Sequence, residues 1–576
     1  MNVRNLIAND LVEKDGVYFV DESIKFAYND GDLAETYLLR AIQGSSDVSS
    51  RSRELESHIK DWVSRYHLSR SRSLAYESLD IPENATVLEI GSGSGSITRH
   101  LGERGCSVLA IEGSPRRAAM TRSRTRDQEN VAVVCATFGL IRFARQFDII
   151  VCNGVLEYAS MFMPGDDAAR NMVGMFSDLL SPAGTLLIAI ENKLGLRYFS
   201  SAREEHTGVE FDGLEGYARY PRGARTFGRL ELDALLRKRF DCVEFLLPLP
   251  DYKFPRALIS EKMLREVDCS ELFSGMGSGT CDTQFRPLMH ERLVWRQLGR
   301  NLQLENFANS FFVLAGHAPS RLLKPSWRGD IYAINRAPGI EVKTRISANS
   351  DGVISVKKSY IGGAARTPGA FQHHLEEGVW VEGESIHSIV MQAMLEKTSR
   401  PLEQRIGECV SRWWSAVTEK AGKLDEHGMA GTVLDLNWEN SILRDDGIHF
   451  IDNEWSVDRT IPPSWVLYRT VGRFLDAEWS YRHRWNAQWR NASKRRFLNA
   501  IAGILGIHIS VWTIWQSIRL EEEFQGFATE SSRPKWRVLV EDCMPFWLAY
   551  HWKESGRRLR RFSARLWRNF RRLFPL

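Results

Sequence analysis

Paired cysteines are missing from this chain. Its eight cysteines stand apart at Cys106, Cys135, Cys152, Cys242, Cys269, Cys281, Cys409 and Cys543, with no CxxC pair and no histidines clustered at ligand spacing. That argues for reduced thiols and against a structural zinc. An uninterrupted apolar N-terminal stretch is missing too. "MNVRNLIANDLVEKDG" breaks its apolar residues with Asn, Asp, Glu and Lys, so no signal peptide is predicted and the protein is expected to start in the cytoplasm. There is no internal repeat, and the formal net charge is only +4. Even that excess is local: residues 553–576 hold nine Lys/Arg against one Glu, which leaves the rest of the chain net negative.

What is present is length and apolar material. With 576 residues, 43% of them hydrophobic, the chain exceeds a single core and supports two or three domains. Residues 1–50 read as an extension with one extended candidate, "GVYFV", and a helical pattern, "AETYLLRAIQ". Helical periodicity dominates from about 52 to 80. From 86 to 190 the apolar runs "TVLEIG", "SVLAIE", "VAVVC", "FDIIVCN" and "GTLLIAIEN" alternate with helical stretches, the pattern of a mostly parallel sheet covered on both faces. Residues 51–265 are thus expected to form one domain. A linker spanning 266–309, with the Gly/Ser-rich "SGMGSGTCD", leads to a second domain predicted to begin at 310 with "SFFVLAG" and to run to 552. The long, nearly uncharged stretch 497–518 raises the question of a membrane span; Asn499, His508, Gln516 and two glycines favour a buried helix.

"VLEIGSGSGSITRHL" places Gly91, Gly93 and Gly95 between a buried strand and a helix, where backbone approaches a ligand with no Cβ in the way. Glu112 ends the next strand, where a carboxylate can accept hydrogen bonds from both hydroxyls of a ribose. Dinucleotide dehydrogenases share this order. Here, however, Ser96 occupies the position where their fingerprint has its third glycine, and Glu89 precedes Gly91. A carboxylate there suits the ammonium of S-adenosylmethionine and would repel a pyrophosphate, so this cofactor is favoured over NAD; a purely structural βα turn is the remaining reading. Asn153, Glu157 and Tyr158 follow the strand "FDIIVCN", at the edge where open α/β sheets hold ligands.

The segments "YHLSRSRS", "VLEIGSGSG", "GVLEYA", "IAIENKLGLRYFSSAREEHTG", "FDGLEGY", "RTFGRLEL" and "LPDYKFPRALIS" resemble a bacterial class I S-adenosylmethionine-dependent methyltransferase family of cell-surface polysaccharide (O-antigen-type) biosynthesis. The resemblance covers roughly residues 25–262. It implies an α/β, Rossmann-like, mostly parallel domain, with Tyr66, Glu89, Gly91, Gly93, Gly95, Glu112, Thr137, Phe138 and Asn153 toward the cofactor. Many class I enzymes carry an acidic residue for the adenine amino group where this chain has Cys135-Ala136, so adenine recognition is expected from backbone and packing near Thr137 and Phe138. Methyl transfer is an in-line displacement that needs alignment and removal of the acceptor's proton. His206, Glu157 and Glu191 are the candidates for that proton; a surface-loop histidine, and a Glu191-Asn192 pair that only pins the long insertion after it, are the alternatives.

A second constellation lies in "TVLDLNWENSILRDDGIHFIDNEW". Asp435, Asn440 and Asp452 reproduce the spacing of a phosphotransferase loop, in which one Asp orients the acceptor hydroxyl and Asn440 and Asp452 would hold a metal. "FIDNEW" is similar to the metal-binding strand of aminoglycoside- and choline-kinase relatives, and "VWVEGESIHSIV" resembles the linker between their lobes. The resemblance implies an α+β kinase-like domain, with ATP and Mg as cofactors if it is active. Against activity stand Val433-Leu434 where a His is usual, an abbreviated N-terminal lobe, and no glycine-rich phosphate cover. Lys357 and Lys358 are the candidates for the phosphate-binding lysine, Lys357 being preferred. An active glycan kinase, a pseudokinase that binds nucleotide or glycan, and a fortuitous match all remain open.

In "RRLRRFSARLWRNFRRLFPL" apolar residues recur at three- and four-residue steps with arginines between them. A C-terminal basic amphipathic helix over 553–576 at an anionic membrane surface is the leading reading; an RNA contact or a partner helix is the alternative, with no recognised RNA-binding module beside it. Together these readings predict a cytoplasmic enzyme, peripheral at the inner face of the cytoplasmic membrane. It is expected to O-methylate a sugar hydroxyl of a surface polysaccharide or its lipid-linked precursor, with polysaccharide glycosyltransferases as candidate partners. Bifunctional methyltransferase–kinase action and a glycan-binding scaffold are the alternatives.

Overall fold

The computed structural model describes residues 3–21, 30–163, 167–220, 223–280, 285–362, 369–422, 428–530 and 535–543. The basic segment 553–576 lies outside them. The chain divides into two units, Met1–Tyr332 with Arg345–Val353, and Ala333–Thr344 with Ile354–Leu576.

In the first unit the strands are β1 (Val12–Lys14), β2 (Val17–Phe19), β3 (Thr86–Ile90), β4 (Ser107–Glu112), β5 (Val131–Cys135), β6 (Phe147–Asn153), β7 (Leu180–Glu191), β8 (Cys242–Leu249), β9 (Ala257–Ser260), β10 (Ser310–Gly316) and β11 (Trp327–Ala333). They assemble in the order β1-β2-β5-β4-β3-β6-β7-β10-β8-β9-β11. From β2 to β7 every pairing is parallel. The apolar runs expected as strands are these parallel strands. Val87, Val108, Val133 and Val151 are fully buried in one cluster, as a sheet covered on both faces requires. Helix Pro115–Arg124 starts where Ser114 Oγ accepts from the Arg117 amide and Pro115 presets the first turn. It brings Arg117 to the cavity described below.

Three expected boundaries move. β10 does not open a second domain at 310: it enters antiparallel between β7 and β8, with Phe311 opposite Ile190 and Val313 opposite Phe245. Nor are residues 1–50 a separate extension, because Val17–Phe19 pairs with Val133–Cys135. The stretch 266–309 is no linker either. Helices Ser270–Met276 and Glu291–Arg300 form there and bury Phe273 against Trp295, ring centroids 5.2 Å apart. In the last case buried apolar area outweighs the local Gly/Ser composition; in the first two, strand pairing distant in sequence moves the boundary.

In the second unit Ile354–Tyr360 pairs with Glu377–Val379, Phe371–His373 with Trp455–Val457, and Ser441–Arg444 with both Glu384–Ser385 and Gly447–Phe450. Helices follow, built around buried aromatics: Phe474 stacks on Phe497 at 5.6 Å, and Trp413 meets Trp438 at 5.9 Å. The apolar stretch 497–518 is split between helices Lys494–Ile504 and Val511–Thr529. Among the described residues no helix is long and apolar enough to cross a membrane.

Candidate functional site

A cavity opens at the carboxyl ends of the parallel strands, lined among others by Gly91, Gly93, Glu112, Thr137, Phe138 and Asn153. The strands deliver their last residues, such as Glu112 and Asn153, or those just beyond, such as Gly91 and Thr137, so the topology gathers positions far apart in sequence. Tyr66 and Trp62 reach it from helix Trp62–Leu68. Asp30 and Arg117 also border it, joined by an ion pair of 2.7 Å, and His67 Nε2 lies 2.9 Å from Asp30.

The glycines divide by role. All three have positive φ. A Cβ on Gly91 would meet Val155 Cγ2 at 2.5 Å, and one on Gly95 would meet the Thr121 backbone at 2.9 Å. These two allow close packing of the chain on itself. A Cβ on Gly93 would find nothing nearer than His67 Cε1 at 3.9 Å, so its backbone faces open cavity.

Glu112 accepts from the Gly93 and Ser114 amides, both at 2.8 Å. It lines the cavity as expected, though its first task is to hold the loop. Glu89 departs from expectation. It is absent from the cavity lining; its Oε2 accepts from Thr98 Oγ1 at 2.5 Å, and burial pushes its carboxyl up to about 7. Inward-facing parity on β3 turns this side chain into the protein, a consequence that a motif read as a string of letters does not carry.

Glu157, Glu191 and His206 do come together, and all three line the same cavity. One ligand atom from each lies within 4.8 Å of the others. His206 Nε2 is 3.6 Å from Glu191 Oε2, and its Nδ1 is 3.0 Å from the Tyr158 hydroxyl. Burial and the neighbouring Glu191 charge push Glu157 up to about 8. Burial acts against the charged imidazole, yet the adjacent Glu191 and Glu157 raise His206 to about 9. Glu191 resists its own burial because Lys253 stands on it, and its carboxyl lies well below the usual range.

Lys253, Tyr252, Glu205 and Arg197 were not singled out by sequence reasoning. Lys253 Nζ contacts both Glu191 and Glu205, Tyr252 donates to Glu191 Oε1 at 3.4 Å, and Arg197 bridges Glu205 and Asp251 at 2.9 and 2.7 Å. The charged Lys and Asp of "LPDYKFP", set between two apolar runs, were the available signal. Asn192 has a structural part, donating to the carbonyls of Asn306 and Ala308 at 2.9 and 2.8 Å.

In the second unit Asp435, Asp452 and Glu454 gather, with ligand atoms within 4.8 Å. Asn440 Nδ2 donates to the Asp435 and Asp452 carbonyls at 3.0 and 3.2 Å, and burial pushes Asp435 up to about 6. Lys357 is not the lysine of this cluster: exposed on its strand, it pairs with Glu377 at 2.5 Å. Lys358, on the opposite face, contacts Asp452 and lies 3.1 Å from Glu454, which Arg336 also contacts.

Residues 88–186 match the model of a methyltransferase domain. Among solved structures the chain is similar to N-methyltransferase NodS from Bradyrhizobium japonicum WM9 in complex with S-adenosyl-L-homocysteine, at 18% identity over 38% of this chain and 90% of that one, TM-score 0.25. It is also similar to phosphoethanolamine N-methyltransferase 2 of Haemonchus contortus in complex with S-adenosyl-L-methionine, at 15% identity over 49% and 57%, TM-score 0.27. A third is a TehB-like SAM-dependent methyltransferase from Corynebacterium glutamicum, at 11% identity over 49% and 97%, TM-score 0.25. No curated protein matches the chain. The first unit thus contains an S-adenosylmethionine-dependent methyltransferase domain.

Its residues fit that cofactor. The Glu112 carboxylate has about four acceptor positions and gives two to backbone amides, which leaves capacity for a ribose diol. The Gly93 backbone is open to the same space.

Proposed function

We propose that the first unit O-methylates a sugar hydroxyl of a cell-surface polysaccharide or its lipid-linked precursor. The observation that carries this reading is that the cradle of Gly93 and Glu112 and the polar trio Glu157, Glu191 and His206 line one continuous cavity. When bound, S-adenosylmethionine supplies an electrophilic methyl group on a sulfonium sulfur. The chain's own part is to orient the acceptor and take its proton. Trp62, Tyr66 and Tyr158 give the cavity apolar walls, and the trio gives it one polar end. The acceptor hydroxyl meets that end, and Glu191, the member of the trio that Lys253 keeps unprotonated, takes its proton. The sugar class rests on the sequence resemblance over residues 25–262.

The test is mass spectrometry of surface polysaccharide from cells with and without the protein, together with transfer of labelled methyl from S-adenosylmethionine to an extract of lipid-linked saccharides. A methyl group present only with the protein is the expected result. Identical polysaccharides, with no label transferred, would sink the reading. Deleting residues 553–576 is expected to move the protein from the membrane fraction to the soluble one.

For the second unit the reading is a kinase-like module that binds without phosphoryl transfer. Its acids do not fit a nucleotide's metal as they stand, since Lys358 occupies Asp452 and Arg336 occupies Glu454. ATP turnover that vanishes in Asp452→Asn would overturn this.

A further inference from the structure

We propose that Glu157, Glu191 and His206 bind one divalent first-row transition-metal ion at the acceptor end of the methyltransferase cavity. Three buried atoms make the case: Glu157 Oε2 has no hydrogen-bond partner, and Glu191 Oε2 and His206 Nε2 have none but each other, as an ion pair stretched to 3.6 Å. Glu157 is 2% exposed and Glu191 0%. Polar atoms buried in this way are costly unless something is there to meet them. Here the three belong to three different segments, line one cavity and lie within 4.8 Å of one another.

Ligand bonds of about 2.1 Å put neighbouring donor atoms roughly 3 to 4 Å apart. The 3.6 Å between Glu191 Oε2 and His206 Nε2 already lies in that range. The other ligand features are also in place. His206 has its second nitrogen, Nδ1, 3.0 Å from the Tyr158 hydroxyl, the arrangement that fixes a metal-binding tautomer and leaves Nε2 free to coordinate. Glu191 has its other oxygen, Oε1, held by Lys253 and Tyr252. The ligand is therefore oriented by the protein before any ion arrives.

Charge points the same way. Around the trio, the carboxylates Glu157, Glu191, Glu205 and Asp251 meet the permanent cations Lys253 and Arg197. An ion entering the trio displaces the protons that Glu157, at about 8, and His206, at about 9, hold without it, and its two charges take their place. An imidazole beside two carboxylates suits Mn²⁺, Fe²⁺ or Zn²⁺ better than Mg²⁺ or Ca²⁺, which prefer oxygen alone. The role of the ion rests on the acceptor reading above. With the ion held, the trio acts through it and not as the base itself: a hydroxyl bound to the ion would be more acidic than a free one, its proton would pass to water in the cavity, and a neighbouring hydroxyl would fill a second open position.

The experiment titrates metal-free, full-length protein with Mn²⁺ alone and follows bound ion by electron paramagnetic resonance. Calorimetry with S-adenosylmethionine is run on the same samples. One tight Mn²⁺ per chain is expected, weakened about 10- to 100-fold or more by Glu157→Gln and by His206→Gln, with cofactor binding and thermal melting retained. Asp452→Asn is expected to leave that affinity unchanged. Absence of Mn²⁺ binding to the wild type overturns the proposal. So does binding that both trio variants leave intact, or binding that only Asp452→Asn removes. If Mn²⁺ binds at the trio and no acceptor is ever methylated, the acceptor reading fails and the metal site stands; methyl transfer without Mn²⁺ binding has the opposite meaning.

Discussion

Two acid clusters of the same size stand in the two units and are finished differently. In the first, Lys253 and Tyr252 hold one side of Glu191, while three polar atoms of the trio are left without a hydrogen-bond partner. In the second, Lys358 reaches Asp452 and Glu454, and Arg336 completes the pairing of Glu454. Glu454 is a buried acid whose cations come from its own chain, a structural element costly to break and with little left to offer a ligand, and the exposed Asp452 beside it is already paired with Lys358. An acid with an unmet oxygen on a cavity wall is chemistry held in reserve.

The sharpest way to break this contrast is a matched pair of substitutions. Glu191→Gln is expected to lower methyl transfer by about 10²- to 10⁴-fold, whereas Asp452→Asn leaves it at the wild-type rate. Equal losses in the two variants, read from labelled-methyl incorporation, would show that the clusters are not separate in function.

Next in size is the removal of a cation. Lys253→Met strands the Glu191 and Glu205 charges inside the protein and is expected to cost about 3–5 kcal/mol. Lys357→Met, at an exposed lysine, is expected to change stability by less than about 0.5 kcal/mol. Urea unfolding of the two variants measures the difference.

Burial without a cation gives a third handle. The Glu89 carboxyl, at about 7 in the folded chain against 4.5 as its ordinary value, holds its proton in the folded state after the unfolded chain has released it. Its contribution to stability is complete below pH 4.5 and declines as pH rises to about 7. Glu89→Gln is expected to remove that decline, amounting to about 3 kcal/mol at most; an unchanged pH profile of unfolding would contradict the assignment.

The glycine loop gives a last handle. Gly91→Ala places a methyl group 2.5 Å from Val155 Cγ2 at a φ of +77°. The backbone share of the cost is about 1–2 kcal/mol. Adding Val155→Ala is expected to recover the clash and leave the backbone share, which melting of the single and double variants separates.

Much of the first unit was legible because parallel strands buried on both faces write themselves as short apolar runs, and their carboxyl ends are where the chemistry collects. Gly93, Glu112, Asn153, Glu157 and Glu191 all follow from that rule. Glu89 escaped because which face of β3 meets the ligand is a matter of parity, not of motif. Parity also decides between the lysines: Lys358 shares a strand face with Ile354 and Val356 and is buried, while Lys357 faces out. That alternation was readable and favoured Lys358. Lys253 left a weaker trace, since its partners arrive from segments some fifty residues away. The true place of "SFFVLAG" had no local trace at all. An antiparallel insertion between two earlier strands leaves no mark in the inserted run itself.

That insertion has a consequence for how the protein is made. β10 lies opposite β7 to its very end, Ser310 beside Glu191, so the ribosome must deliver residue 316 before the sheet can close. Until then β7 and β8 wait with bare edges, a template for unwanted pairing. A fragment ending at 265 would keep every residue of the methyl-transfer motifs and still lack the strand that seats one of them.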